Sequence, residues 1–459
     1  MRKQAKNDRP RDWADRVAFS TTEAGSFAYR PGEVIVGGGE QGVDVARRRY
    51  PTLADPTWLG PRRRRAPKTV AALRGDIDPL EVVHELRAAG IAAQPNHVVF
   101  AHQCGCCCGP HPSTRWGACM SGSPMYGSPM YGSPMYGSPM YGSPMYGSPM
   151  YGSPMYGSPM YGSPMYGSPF SMAELQATGP RRSSARPAPP PSRAPRPAPK
   201  HAAAARVAIL DTGLAHADLR PAALGGLACD PADHEVPDDD ADGWLDPAAG
   251  HGTFIAGVIE QLAPGCTFTL RRVLSGHGDG DELAAAAAID ALAGKVDILN
   301  LSFGGFAMDG MHVLAAAVRR VQQAGAVVVA SAGNEGTCRA VYPAAFPGVV
   351  SVGALGPHGP APFTNHGPWV RACAPGVDLV SSFFSDFDGA SPPTGGVDPD
   401  RFESWAVWSG TSFATPVVVA ALAREMACYG LSAADAVARV VDDPGLVRIP
   451  DLGTVVNLR

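Results

Sequence analysis

The sequence lacks the features that would assign the chain to a membrane or to a nucleic acid. No apolar run reaches the roughly 20 residues that a transmembrane helix needs. A formal net charge of −4 gives no general attraction to nucleic acid. The N-terminal stretch 1–22 is polar and lacks the apolar core of a secretory signal. These absences predict a protein that starts in the cytoplasm and has no membrane span or nucleic-acid partner, with export by another route left open.

An evenly paired disulfide framework is also missing. Of the ten cysteines, five lie between Cys104 and Cys119, and the other five are scattered singly through the C-terminal half. Clustered thiols next to His111 could bind zinc, but their spacing is not that of a standard zinc knuckle. A thiol-rich linker is the simpler interpretation.

Composition divides the chain into segments of very different character. Nine tandem Ser-Pro-Met-Tyr-Gly copies carry Pro and Gly in every unit, which excludes helix or central strand and predicts an extended, mobile segment. They are either a spacer or a presented ligand. The predicted segments are a disordered tail (1–29), a small α+β domain (30–101), a Cys-rich segment (102–122), the repeats (123–170), a Pro/Ala/Arg-rich linker (171–204) and a larger α/β domain (205–459).

The small domain combines short strands with one amphipathic helix. Residues 33–36, 68–73 and 97–101 predict strands, and Pro79 to Ala89 predicts the helix. The run of arginines at 62–65 is interpreted as a solvated loop, with a processing site or an anion patch as alternatives.

The larger domain alternates apolar strands with helices. Strands at 206–210, 296–301 and 326–330 are rich in Val, Ile, Leu and Ala without polar alternation, which predicts a parallel sheet covered by helices on both faces. Ligands of such sheets bind beyond the carboxyl ends of the strands, where Asp211, Ser302 and Asn334 fall.

A serine lies shortly before a segment that is too apolar for a surface helix. Ser412 precedes the segment Val417 to Tyr429, so it is predicted at the N-terminus of a buried helix, with Pro416 within the first turn. Free N–H groups there can meet the oxyanion that forms when a serine attacks a carbonyl. Serine is also an ordinary helix cap, so this position alone decides nothing.

Three separated residues supply the parts that a nucleophilic serine needs. His251 can act as the base for Ser412, Asp211 can hold the imidazole tautomer, and the Asn334 amide can donate to an oxyanion. Each has a bland alternative by itself, as a turn residue or a helix start. The order Asp, His, Ser in Gly-rich contexts makes chance a poor explanation.

The chain resembles the subtilisin-like serine peptidases (S8 family). The resemblance rests on Asp211-Thr212-Gly213, the His251 segment His-Gly-Thr-Phe-Ile-Ala-Gly, Ala332-Gly333-Asn334 and Gly410-Thr411-Ser412-Phe413-Ala414-Thr415-Pro416. It departs from the family at Phe254, where a second histidine is frequent, and at Phe413, where methionine is frequent.

The resemblance implies a subtilisin-like fold and a complete set of site residues. Asp211, His251 and Ser412 would be the triad and Asn334 the oxyanion donor. Two segments would pair with a protein or peptide substrate as added strands: Ser302, Phe303 and Gly304, and Ser331, Ala332 and Gly333. Residues 30–101 are similar to the family's propeptide, an intramolecular partner that assists folding and blocks the cleft. No cofactor is required.

An acidic loop precedes His251. Asp238, Asp240 and Asp242 alternate before Gly243, as in calcium loops, but Ala249 stands where such a loop carries its glutamate. Calcium is therefore one interpretation, beside a solvated acidic loop.

These observations predict a serine endopeptidase that processes itself, with a first cut expected between Ala173 and Ala205. The alternative is a catalytically retired scaffold that displays the repeats to a partner. A further idea is that the repeats are themselves the substrate.

Overall fold

The computed structural model describes residues 16–22, 25–59, 69–102, 181–182, 204–241, 243, 245–385 and 402–457. The predicted Cys-rich segment beyond residue 102, the repeats and all of the linker except residues 181, 182 and 204 lie outside these ranges, as do Asp242 and the four arginines at 62–65.

The N-terminal domain, residues 16–102, is a small antiparallel sheet with two helices. Its elements are β1 (Ala18–Thr22), β2 (Gly25–Val36), α1 (Gly39–Arg49), β3 (Thr57–Trp58), β4 (Ala71–Arg74), α2 (Pro79–Ala88) and β5 (Ala93–Ala101). The strand order is β3-β4-β2-β5, with β1 paired to β2. Asp78 caps α2 by accepting from the Leu80 N–H, and Pro79 occupies the first helical turn, where its missing donor costs nothing.

The N-terminal boundary differs from the prediction. Residues 18–22 and 25–29, expected in the disordered tail, form β1 and the start of β2, with Ala18 opposite Tyr29. Burial gives the reason, since Phe27 and Ala28 are 2% and 5% exposed. Helix α1 was also missed, because only Gly42, Val43 and Ala46 of its eleven residues are buried.

The C-terminal domain is built on a mostly parallel sheet. Its elements are β7 (Arg206–Asp211), α3 (His251–Leu262), β8 (Thr267–Arg272), β9 (Asp279–Asp281), α4 (Glu282–Leu292), β10 (Ile298–Leu301), β11 (Phe303–Gly304), α5 (His312–Gln323), β12 (Val327–Ser331), β13 (Val350–Gly356), β14 (Gly359–Pro360), β15 (Ala372–Pro375), β16 (Leu379–Ser382), β17 (Trp405–Trp408), α6 (Thr411–Tyr429), α7 (Ala433–Val437), β18 (Arg448–Ile449) and β19 (Gly453–Val455). The main order is β18-β19-β15-β13-β12-β10-β7-β8, and a separate strand β6 (Arg181–Arg182) pairs with β17.

The central strands are buried on both faces, as their continuous apolar runs predict. Ala208, Leu210, Leu299 and Leu301 belong to one core with helices α4 and α5. Their neighbours in sequence point the other way and are also buried, for example Ile209 at 1% exposure. The parallel sheet of the predicted fold class is thus present. Among the described residues no single helix is long and apolar enough to span a membrane, and only the bent pair Thr411–Tyr429 and Ala433–Asp442 has that length and composition together.

Helix α6 contains a proline that its neighbours accommodate. The sequence suggests the first turn for Pro416. The helix begins at Thr411, however, so Pro416 lies in the second turn. A proline there leaves the carbonyl of Ser412 without its intrahelical donor. The Ser302 hydroxyl donates to that carbonyl at 2.9 Å, which ties the start of α6 to the end of β10.

The last strand of the N-terminal domain also belongs to the C-terminal domain. β5 pairs antiparallel with β11 (Ala101 opposite Phe303) and with β9 (Val98 opposite Asp281). Buried Glu282, the first residue of α4, accepts from Gln94 Nε2 at 2.7 Å and lies 2.9 Å from His97 Nδ1.

Charged contacts extend the same interface. Arg30 pairs with the nearly buried Asp279 at 2.7 Å, and Arg87 pairs with Asp309 at 2.8 Å. The guanidinium groups of Arg30 and Arg16 hold the pKa of Asp279 below its usual value against the opposing effect of burial, which is the largest single influence on that carboxyl.

Candidate active site

The predicted site residues converge at the carboxyl edge of the sheet. Asp211 ends β7, and Asn334 follows β12 by three residues. His251 opens α3 directly after Gly250, whose φ of 82° suits glycine. Ser412 is the second residue of α6.

Asp211 and His251 form a buried, directed pair. The His251 Nδ1 lies 2.6 Å from Asp211 Oδ1, which also accepts from the Thr212 N–H at 2.8 Å. Both side chains are at most 1% exposed. Among the described residues, His251 Nε2 has no hydrogen-bond partner. The pair therefore presents a free imidazole nitrogen held in one tautomer.

Ser412 lies in the first turn of α6, where backbone N–H groups have no intrahelical acceptor. Its Oγ donates to the Ser302 carbonyl at 2.8 Å, and its backbone N–H donates to the carbonyl of His102 at 3.1 Å. Asn334 Oδ1 accepts from the N–H and the hydroxyl of Thr411, at 3.0 and 2.9 Å. Those two bonds orient the amide, and its Nδ2 is buried without a partner in the described part of the chain.

Aromatic rings surround the imidazole. Trp408 meets the His251 ring edge-on at 5.7 Å between centroids, and Phe413 lies at 5.2 Å. Phe254 packs on Phe413 at 4.6 Å. Both departures from the family pattern, Phe254 and Phe413, therefore lie in one apolar cluster that restrains the His251 ring.

Four of the six predicted substrate-binding residues contact the end of the N-terminal domain. Phe303 and Gly304 pair with Ala101 and Phe100 as β11. The Ser302 carbonyl accepts from the His102 N–H at 3.3 Å, and Ser331 Oγ lies 2.7 Å from His102 Nδ1.

The other two are engaged within the C-terminal domain. Ala332 N–H donates to Val352 O at 2.9 Å, and Gly333 N–H donates to Thr411 Oγ1 at 3.1 Å. Gly333 has a φ of 104° and no room for a Cβ beside Asn365 and Glu335.

His102 is therefore held through its backbone and its ring. The residue is 4% exposed, and its N–H, its carbonyl and its Nδ1 all have partners in the C-terminal domain. Burial lowers the pKa of His102 to about 3, and the nearby His251 adds to that lowering. The imidazole at this position is neutral.

Sequence reasoning missed Glu235. This buried carboxylate accepts from the Thr212 hydroxyl and the Gly250 N–H, each at 2.6 Å, and from the Thr253 hydroxyl at 3.1 Å. It thereby bridges the residue after Asp211 and the residue before His251. Burial raises the pKa of Glu235 to about 7. An isolated glutamate in a loop carries no motif, so the sequence offered no signal for this role.

The acidic loop forms two groups of potential ligands. One contains Asp238, Asp240 and Asp246, and the other contains Asp239, Asp246 and His277. Predicted Asp242 lies outside the described residues, and Asp246 takes part in both groups instead. Asp246 Oδ1 is buried without a partner in the described part, and burial raises the pKa of this carboxyl to about 6. Arg272, which donates to Asp239 at 3.2 Å, already supplies one positive charge.

Comparison with known proteins supports a single family. The profile of the subtilase family (peptidase S8) matches residues 203–440. A thermostable alkaline protease of Halalkalibacterium halodurans is 36% identical over 237 residues, covering 48% of this chain and 56% of that protein. A thermophilic serine proteinase of Bacillus sp. strain AK1 is 32% identical, covering 49% of this chain and 52% of that protein.

A shorter relative is covered more fully. Subtilisin DY of Bacillus licheniformis is 30% identical over 241 residues, which are 49% of this chain and 77% of that protein. For the two longer relatives, the match spans only about half of their length. The matched family profile covers more than half of the chain, including the Asp211, His251 and Ser412 segments. The chain therefore belongs to the subtilase family.

Proposed function

We propose that the chain is a serine endopeptidase that cuts itself after His102 and is then inhibited by its own N-terminal domain. The observation that carries the proposal is the position of the His102 carbonyl, 3.1 Å from the backbone nitrogen of Ser412. A carbonyl at that distance from the N–H of the nucleophilic residue occupies the position of a substrate carbonyl in an oxyanion hole.

The catalytic step follows from the geometry around that carbonyl. Asp211 holds the His251 tautomer, and the free Nε2 takes the proton of Ser412 as Oγ attacks the carbonyl carbon. For this the hydroxyl turns from the Ser302 carbonyl toward Nε2. The developing oxyanion accepts hydrogen bonds from the Ser412 N–H and from the free Nδ2 of Asn334. His251 then gives the proton to the leaving amine, and water hydrolyses the acyl-enzyme by the same steps.

The substrate backbone is bound as an added strand. β5 pairs with β11, and the His102 N–H donates to Ser302 O, so the residues before the cut are held by main-chain bonds that do not depend on sequence. The same contacts explain inhibition. After the cut, the end of β5 and His102 still occupy the cleft, and the interface centred on Glu282 is kept.

This geometry favours a first cut different from the one that the sequence suggested. Within the described residues of the window from Ala173 to Ala205, Arg181 and Arg182 pair with β17, whereas the carbonyl at the Ser412 nitrogen is that of His102. A cut between 173 and 205 stays a prediction for a later step. The directed Asp211–His251 pair and the free Asn334 donor argue against a retired scaffold.

Intact mass measurement tests the proposal. The wild-type chain should separate with time into residues 1–102 and 103–459, and Ser412→Ala should stay whole. A matched control is Ser432→Ala, which removes an exposed serine that caps α7 and pairs with Asp435, and this variant should cut at the wild-type rate.

Three results would contradict parts of the proposal. Cleavage that persists in Ser412→Ala would remove Ser412 as the nucleophile. A first cut inside the pentapeptide repeats would make the repeats the substrate. A first cut between 173 and 205 would restore the sequence-based expectation and remove His102 as the cleavage site.

Calcium at the acidic loop is part of the proposal. The unpartnered, buried Oδ1 of Asp246 and the carboxylates of Asp238 and Asp240 supply the hard oxygen ligands that calcium takes. An ion there would stabilise the loop that leads to His251 and has no part in the chemical step.

A further inference from the structure

We infer that the pocket holding the His102 ring selects a neutral imidazole, so that the enzyme cleaves peptides after histidine. We call this the His102 pocket and define it by Gly304 and Ser331. The inference rests on the proposed function, because it takes His102 as the residue on the acyl side of the cut bond. It adds which side chain the site accepts there and which residue recognises it.

The first argument is the hydrogen bond inside the pocket. Ser331 ends β12 and is fully buried, and its Oγ lies 2.7 Å from His102 Nδ1. Within the described residues, the ring nitrogen is the partner of this hydroxyl. A side chain without a polar atom at that point would leave a buried hydroxyl unpaired. Sites built around such a bond reject analogues that lack it more strongly than apolar pockets reject a change in size.

The second argument is shape. A Cβ at Gly304 would lie 2.6 Å from His102 Cε1, 2.7 Å from Val341 Cγ1 and 2.8 Å from Tyr342 O. The glycine therefore leaves the space in which the flat ring lies against the backbone of β11. The ring therefore lies between Gly304 and Ser331.

The third argument is charge. The charged group that acts on the His102 ring is His251, whose positive form would repel a second cation. Burial disfavours a protonated imidazole and outweighs the hydrogen bonds with the backbone of Ser331 and Gly304, which act in the opposite direction. Lysine or arginine would bring a permanent charge into the same buried position. The neutral imidazole is the basic side chain that this pocket can take.

Self-cleavage of the full chain gives the first test. His102→Phe keeps a flat ring without nitrogen, and His102→Lys introduces a permanent charge. We expect the cut after residue 102 to slow about tenfold in His102→Phe and more in His102→Lys. When Ser331→Ala is added to both the wild type and His102→Phe, the difference in rate between the two chains should shrink to within about twofold, as a double-mutant cycle measures.

Peptide substrates give the second test, which does not depend on folding of the variants. Self-processed wild-type enzyme, diluted until residues 1–102 dissociate from the cleft, is offered acyl-Val-Phe-Ala-X-anilides, in which the first three residues copy positions 99–101. X is histidine, phenylalanine, lysine, Nδ1-methylhistidine or Nε2-methylhistidine. We expect kcat/KM to be highest for histidine and to fall at least tenfold for the Nδ1-methyl compound. The Nε2-methyl compound should keep more activity, because its Nδ1 can still accept from Ser331.

The outcomes distinguish the preference for histidine from the proposed endopeptidase activity. Equal cleavage after histidine, phenylalanine and lysine, abolished by Ser412→Ala, would overturn the inference and leave the proposed function standing. Cleavage that survives Ser412→Ala would overturn the proposed function itself. If Ser331→Ala left the preference for histidine unchanged, Ser331 would not be the residue that recognises the ring.

Discussion

At low pH, protonation of His102 should weaken the binding of the end of β5 in the cleft. The pKa of a histidine in the open chain is 6.5, and in the seated state burial lowers the pKa of His102 to about 3. His102 therefore binds the proton more tightly when the segment is open than when it is bound in the cleft. The contribution of His102 to binding in the cleft is complete above pH 6.5 and is lost as the pH falls from about 6.5 toward 3.

The size of the effect follows from those two values. Between pH 7 and pH 5, the opening equilibrium should rise roughly 25-fold, which is about 2 kcal/mol. Other titratable groups face the same segment: the His97–Glu282 pair on β5 and α4, His251 behind the ring, and the Asp279–Arg30 pair beside β5. A control must keep all of these and change only the His102 ring.

Hydrogen exchange can isolate this contribution. The chain carries Ser412→Ala, so that β5 stays covalently attached, and exchange in residues 93–102 is followed by mass spectrometry between pH 5 and pH 7.5. After correction for intrinsic rates, protection measures local opening. The matched control is the double variant Ser412→Ala with His102→Phe, whose protection should change with pH about 25-fold less. Equal pH dependence in the two chains would refute the assignment of the effect to His102.

Three further predictions concern the site. Asn334→Ala should lower kcat about a hundredfold or more with little change in KM, because its amide acts on the oxyanion. Steady-state kinetics on a peptide anilide checks both constants once self-cleavage is complete and the protein is diluted until residues 1–102 dissociate. Glu235→Ala should unpair two hydroxyls and the Gly250 N–H and lower the free energy of unfolding by about 1–3 kcal/mol, with a fall in kcat, whereas Glu235→Gln should lose less of both; urea titration and kinetics separate the effects. Millimolar calcium should raise the Tm of the wild type and not that of Asp246→Asn, and equal Tm values with calcium and with EDTA in the wild type would remove the proposed ion.

Much of the C-terminal domain could be predicted because its signals are local. Continuous apolar strands such as β7 and β12 end at polar residues, and parallel strands bring their carboxyl ends to one edge. That rule alone placed Asp211, Ser302 and Asn334 near one another. The structure adds Glu235, whose role depends on three donors: Thr212 after β7, Gly250 before α3 and Thr253 within α3.

The parts that escaped prediction depend on contacts between distant segments. β5 pairs with β11 through backbone bonds, and residues about 200 positions apart leave no pattern in a single sequence. His102 stood at the start of a predicted Cys-rich segment, where nothing marked it as a cleft residue. Likewise, alternation indicated Asp242 as a ligand, while the turn brings Asp246 to Asp238 and Asp240.

One strand, β5, serves as part of the N-terminal sheet and as an occupant of the cleft. While the bond after His102 is intact, the occupant is tethered, and its effective concentration at the cleft is independent of how dilute the protein is. Cutting that bond makes the same contacts intermolecular, and occupancy then falls as the solution is diluted below the dissociation constant. Under the proposed function, a single hydrolysis would thus make inhibition depend on protein concentration. The cleft would stay occupied in a concentrated solution and would become free on dilution.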